Sequence, residues 1–121
     1  METKSTKEVS DGIVQIVKKR GYVTFVEILK EFPEERGEYG FCAPHLPNVI
    51  LWPNISERLG YILRDLIESG EIHVHPSTQL IYAMDGKLIE LPIAKKLFPY
   101  KKPHWFPVTF HHSPYTRKKR N

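Results

Sequence analysis

Arg58-Leu59-Gly60-Tyr61-Ile62-Leu63-Arg64-Asp65-Leu66-Ile67-Glu68-Ser69-Gly70-Glu71-Ile72 is the stretch on which the reading of the fold turns. Ile55, Leu59, Ile62, Leu63, Leu66 and Ile67 recur at helical spacing and form one wide apolar stripe. Asn54 with Glu57 makes a capping-box pattern, with Ser56 as the other candidate cap, and Gly70 closes the helix. Past Gly70 the period drops from 3.6 to 2. Ile72 and Val74 alternate with His73 and His75, Pro76-Ser77-Thr78 supply turn chemistry, and Leu80, Tyr82 and Met84 alternate again. Asp85-Gly86 is the preferred pair for a two-residue hairpin turn, which makes Leu88–Leu91 the expected returning strand. A helix running directly into antiparallel strands is the expectation.

Upstream, Val9, Ile13, Ile16 and Val17 mark one face of a first helix, with Lys18, Lys19 and Arg20 at its negative end and Gly21 as its stop. Tyr22-Val23 reads as a short extended piece. Thr24 and Glu27 form a capping box for a second helix that buries Ile28, Leu29 and Phe32 and ends at Pro33. Residues 33–53 are rich in Pro and Gly and have no helical period. They read as a long loop in which Val49–Trp52 lies extended against the core.

Downstream, Pro92, Pro99, Pro103, Pro107 and Pro114 forbid a long helix or a central strand, while Phe98, Tyr100, Trp105, Phe106, Phe110 and Tyr115 argue against disorder. The expected organisation is a domain over residues 1–91, an irregular arm over 92–112 whose rings fill the gap left by a small helical core, and a basic flexible tail over 113–121. At 121 residues, 40% hydrophobic and 26% charged, the chain has the size and composition of one globular domain. Its apolar runs, such as Val49–Trp52, are far too short to span a membrane. The polar start predicts no secretory signal, and Cys42, the single cysteine, allows no intrachain disulfide. Both point to an intracellular protein, cytoplasmic or, in a eukaryotic cell, nuclear. The net charge of +4 hides an asymmetry. Residues 1–86 carry 9 Lys/Arg against 13 Asp/Glu, a net of −4, whereas residues 87–121 carry 9 against Glu90 alone, a net of +8. An acidic body with a basic arm favours polyanionic partners.

The order helix, short strand, helix, helix, β-wing resembles the winged helix-turn-helix family. Val9–Gly21, Tyr22–Phe32, Ile55–Gly70 and Glu71–Leu91 carry the likeness, above all the run Leu63-x-x-Leu66-x-x-x-Gly70-x-Ile72 into the wing. The resemblance implies an α+β fold, a three-helix core with a C-terminal hairpin wing or short antiparallel sheet, and double-stranded DNA as partner in a regulatory or accessory role. It makes Asn54, Ser56, Arg58, Tyr61 and Arg64 candidates on the recognition helix, and Ser77, Thr78 and Gln79 candidates at the wing tip. Lys95, Lys96, Lys101 and Lys102, interleaved with aromatics, suit phosphate contacts, as does Arg117-Lys118-Lys119-Arg120.

The third helix is nearly neutral, because Glu57, Asp65 and Glu68 offset Arg58 and Arg64. A protein-interaction module is therefore the competing reading, docking a partner or a second copy through the acidic body and the apolar 41–52 segment. Surface charge separates the two: a positive strip from Arg58 and Arg64 to the wing and Lys95/Lys96 favours DNA, and an acidic third-helix face favours protein. Chemistry finds less support. His73 and His75, with His111-His112, lack the cysteine or carboxylate spacing of a metal site, and Cys42 with His45 belongs to no nucleophile motif. Phosphate-binding glycine loops, zincin helices and nucleophile elbows are missing from the sequence. A binding protein is expected, with no enzymatic activity, cofactor or small-molecule substrate.

Overall fold

Residues 4–114 are described by the structure, a computed structural model. Their backbone forms α1 (Thr6–Arg20), β1 (Tyr22–Val23), α2 (Phe25–Glu31), a 3-10 turn (Pro33–Glu35), β2 (Arg36–Ala43) and β3 (Leu46–Ile55). It continues through α3 (Glu57–Ser69), β4 (His73–Pro76), α4 (Leu80–Ala83), β5 (His104–Trp105) and β6 (Val108–His111). This is a mixed α+β fold with four α-helices and two small sheets among the described residues.

The three longer helices start and stop where local chemistry requires. Thr24 and Glu27 close the expected capping box on α2, and Ser5 with Glu8 closes another on α1. Ser56, rather than Asn54, caps α3: its hydroxyl accepts from the Leu59 amide at 2.9 Å. At the far end Gly70 has φ 80°, its amide donates to the Ile67 carbonyl, and the Glu71 amide donates to the Leu66 carbonyl. Those two bonds make a Schellman stop, which a left-handed glycine accommodates without Cβ strain. Leu59, Ile62, Leu63 and Leu66 are buried along the inner face of α3, together with Ile55 just before it. Gly60 has a separate reason to be glycine, since a Cβ there would lie 2.6 Å from the Tyr39 ring of β2. Its absence lets the β2–β3 hairpin press against the helix.

Residues 36–55 correct the expected long loop. They form that antiparallel hairpin, turning at Pro44-His45, where His45 has φ 61°. Period-2 reading misses it because bulges interrupt the pairing and only Phe41 and Ala43 of β2 are buried. β3 is the middle strand of the order β2-β3-β5, yet it contains Pro47 and Pro53. Its parallel pairing to β5 uses only Val49 and Ile50, so neither proline interrupts that ladder.

The wing is also assembled differently. β4 pairs with β6, in the sheet order β1-β6-β4, and not with residues 80–84. Leu80–Ala83 is a short helix instead, with Leu80 68% and Met84 87% exposed and Tyr82 buried. Asp85-Gly86 ends this helix rather than turning a hairpin. The Gly86 amide donates to Ala83 and the Lys87 amide to Tyr82, with Gly86 at φ 69°, so the residue pair that favours a hairpin serves here as a second Schellman stop. No strand forms over Leu88–Leu91.

Residues 92–112 complete the core instead of lying on a finished one. β6 is the central strand of its sheet, and Trp105, Val108 and Phe110 are fully buried. Phe25, Trp52, Tyr82, Trp105 and Phe110 form one aromatic cluster with ring centroids 5.0–6.3 Å apart, tying α2, both sheets and α4 together. The Tyr82 hydroxyl donates to the Val108 carbonyl at 2.7 Å and accepts from the Phe25 amide at 3.2 Å. Burial pushes its phenol well above the ordinary range.

Candidate interaction surface

The outward side of α3 is set by what lies behind it. Glu35, in the 3-10 turn, is 2% exposed, and its carbonyl accepts from the Ser56 amide at 2.6 Å. Its carboxylate accepts from the Ser56 hydroxyl at 2.8 Å, from Arg58 Nε at 3.1 Å and from Arg58 Nη2, a forked pair. Arg58 Nη1 donates to the Lys4 carbonyl at 2.8 Å. Burial works to raise the Glu35 pKa, but the hydrogen bonds from Arg58 and Ser56 and the Arg58 charge outweigh it and hold the carboxyl below its usual range. Ser56 and Arg58 are therefore both engaged by a buried acid, and each is only partly exposed.

What α3 does present is mostly acidic. Glu57, Tyr61, Asp65 and Glu68 are exposed, and Tyr61 donates to Glu57 at 3.1 Å. That carboxylate, by hydrogen bond and charge, raises the Tyr61 pKa. Arg64 is half-buried with its guanidinium 5.5 Å from the centre of the Phe41 ring. Asn54 is exposed in β3, ahead of the helix. The positive strip that would favour DNA is thus interrupted at Arg58, and Glu57, Asp65 and Glu68 dominate the face.

Beside this face runs an apolar groove of about 330 Å3. Its walls come from Phe41–Pro44 and Leu51 of the hairpin, Ile67 of α3, Val74 and Pro76 of β4, and Leu97, Phe106 and Val108 of the later chain. Arg64 and Glu68 are its two charged lining residues. Cys42 is half-buried in it, while His45 is exposed at the hairpin turn.

A second concavity, about 500 Å3, brings together five residues singled out in the sequence: Ser77, Thr78, Gln79, Lys95 and Lys96. Pro76 and Phe106 belong to both depressions. The Ser77 amide donates to the Pro107 carbonyl at 2.9 Å, which sets the end of the β4–β6 pair, and Lys96 Nζ lies 4.9 Å from the Phe98 ring centre. Lys101 and Lys102 are exposed on the approach to β5 and line neither depression. Asn48 and His104 brace their segment, donating to the Tyr100 carbonyl at 2.9 Å and the Lys102 carbonyl at 2.8 Å. Arg117, Lys118, Lys119 and Arg120 lie outside the described residues.

His75 of β4 and His111 of β6 meet on one face of the sheet. His75 and His111 stack at 3.6 Å, Tyr22 covers His111 at 5.6 Å, and His75 donates to the Ser113 carbonyl at 2.8 Å. Burial first, then the nearby His75, holds the His111 pKa below its ordinary value. Among the described residues no group of three His, Cys, Asp or Glu is placed to hold a metal, and no helix is long and apolar enough to cross a membrane.

Glu35 was not singled out in the sequence, where Pro33-Glu34-Glu35 looks like any polar turn. Most of the groove was not foreseen either, since Ile67, Val74, Leu97 and Phe106 are far apart in sequence, although its hairpin wall falls in the segment 41–52 already marked for docking. No known protein family, curated protein or solved structure matches this chain.

Proposed function

We propose that the chain is a protein-interaction module built on a winged-helix plan. The element order α1, β1, α2, α3, then the β4–β6 pair supports that plan, with the β2–β3 hairpin inserted before α3 and residues 77–107 inserted into the wing. One observation carries the choice of protein over base-reading: Arg58 is locked onto buried Glu35, which leaves Glu57, Asp65 and Glu68 to dominate the exposed face of α3. Such a face repels the phosphates on either side of a major groove.

Two selections on the immobilised full chain test this. A displayed random-peptide library is expected to yield a consensus motif. A randomised duplex pool is expected to yield none, with any affinity lost between about 50 and 200 mM salt. A selected duplex sequence whose recognition disappears in a still-folded Arg58→Ala variant, together with no peptide motif, overturns the proposal.

Duplex DNA is the second reading, favoured by the concavity of Ser77, Thr78, Gln79, Lys95 and Lys96 at the end of the β4–β6 pair. On that reading the wing and basic residues touch phosphates without reading sequence, and α3 stands clear.

A further inference from the structure

Resting on the protein-interaction reading, we infer that the apolar groove beside α3 takes an extended segment of a partner protein, with bulky apolar side chains in the groove and a basic residue against Glu68. Three features select that occupant. The first is shape. β2 and β4, which wall the groove, are each at the edge of a three-stranded sheet, and α3 supplies Ile67 between them. A groove of about 330 Å3 is at the low end of ligand-pocket sizes. That is room for a few side chains and too little for a whole helix.

The second feature is what the walls refuse. β2 is bulged, and Pro76, which has no amide hydrogen, ends β4, so both free edges are poor templates for an added strand. Recognition then comes from side chains filling the groove rather than from a continuous backbone ladder. Leu97 lines the groove while 58% exposed, an apolar residue that a docked segment would cover.

The third feature is charge. Glu68 lies in the lining, and Asp65 and Glu71 are exposed close to it in the chain. The one lining cation, Arg64, already rests over the Phe41 ring. The surroundings of the groove are therefore acidic on the α3 side, and a lysine or arginine in the partner complements them.

The test uses the full chain and displayed random peptides, with Leu97→Glu and Glu68→Lys as probes. Both positions are exposed, and unchanged melting curves confirm that each variant is folded. Wild-type chain is expected to select peptides with two or three bulky apolar residues next to Lys or Arg, and each variant to weaken their binding about tenfold or more. Panning Glu68→Lys afresh is expected to exchange the basic residue for Asp or Glu. If selected peptides bind both variants as they bind wild type, the groove is the wrong site while the interaction-module reading stands. If wild-type chain selects no peptide, this inference falls, and the interaction-module reading falls with it where the chain also selects an Arg58-dependent duplex sequence. Concentration-dependent dimerisation abolished by Leu97→Glu would make a second copy the occupant and overturn the assignment to a partner.

Discussion

Arg58 shows how burial reassigns a side chain. On a helical wheel it is an exposed cation at the start of α3, but Glu35, 2% exposed, needs a counter-charge and Arg58 is within reach. Arg58→Ala leaves that acid without its cation. The expected cost is about 3 kcal/mol, the low end for a broken buried pair because the guanidinium side is partly exposed. Urea unfolding measures it, and a loss below about 1 kcal/mol would place the pair among surface salt bridges. The sign with pH follows from the lowered Glu35 pKa. Its stabilisation is complete above the ordinary carboxylate value of about 4.3 and is lost as pH falls through the lower folded value. Glu35→Gln is therefore expected to be less stable at pH 7, with a flatter decline below about pH 4.5. His111 acts at a higher pH. Its folded pKa is lowered, so its contribution is whole above about 6.5 and fades as pH drops below that. Replacing it with Phe keeps a ring between Tyr22 and His75 and is expected to flatten the loss of stability between about pH 7 and 5. An unchanged pH profile of the melting temperature would remove His111 from the account.

The elements differ in how much of them lies in local sequence. α3 is legible because its stripe, its cap and its glycine stop all fall within residues 54–70. Leu63 is fully buried there, and Leu63→Ala is expected to cost about 2–5 kcal/mol by opening a cavity. An unaltered unfolding midpoint would show that the helix turns a different face inward. α4 is misread because what sets it is not local. Leu80, Tyr82 and Met84 alternate like a strand, but Tyr82 alone is buried among them, held by hydrogen bonds to Phe25 and Val108 that no spacing rule contains. β6 matters most to the sheet because it lies between β1 and β4. A chain ending at Leu91 lacks β5, β6 and Trp105 and is expected to lose its cooperative thermal transition, followed by circular dichroism. In the full chain the Trp105 indole is expected to resist iodide quenching, since the residue is fully buried. Cooperative melting of residues 1–91 would mean that the arm is an accessory to a complete domain.

At the scale of the whole molecule, the acidic and basic residues that the structure describes do not form one surface. The acidic residues of α3 lie beside the apolar groove, and Lys95 and Lys96 line the adjoining concavity. Any affinity for duplex DNA is accordingly expected to depend on cation count and not on base sequence. Arg117, Lys118, Lys119 and Arg120, if each meets one phosphate, contribute about −3.6 to the slope of log affinity against log salt. Deleting residues 116–121 is expected to weaken low-salt binding and flatten that slope with no change in preference among duplexes. A salt slope unaffected by the deletion would exclude the tail from such contacts.

By itself the sequence determined the three longer helices, the capping box of α2, the glycine stops of α1 and α3, the α+β class and the burial of the arm's Trp105 and Phe110. Each of these follows from neighbours a few residues apart or from the cost of leaving large rings in water. Tertiary structure alone decided that β4 pairs with β6, that residues 36–55 make a hairpin, that Arg58 serves Glu35, and that an apolar groove opens beside α3. His73–Pro76 and Val108–His111 are separated by some thirty residues, and Glu35 and Arg58 by 23. Contacts at such distances are chosen by which packing buries the most apolar surface while leaving few buried polar groups unpaired, a competition settled over the whole chain and unreadable in any single window of it.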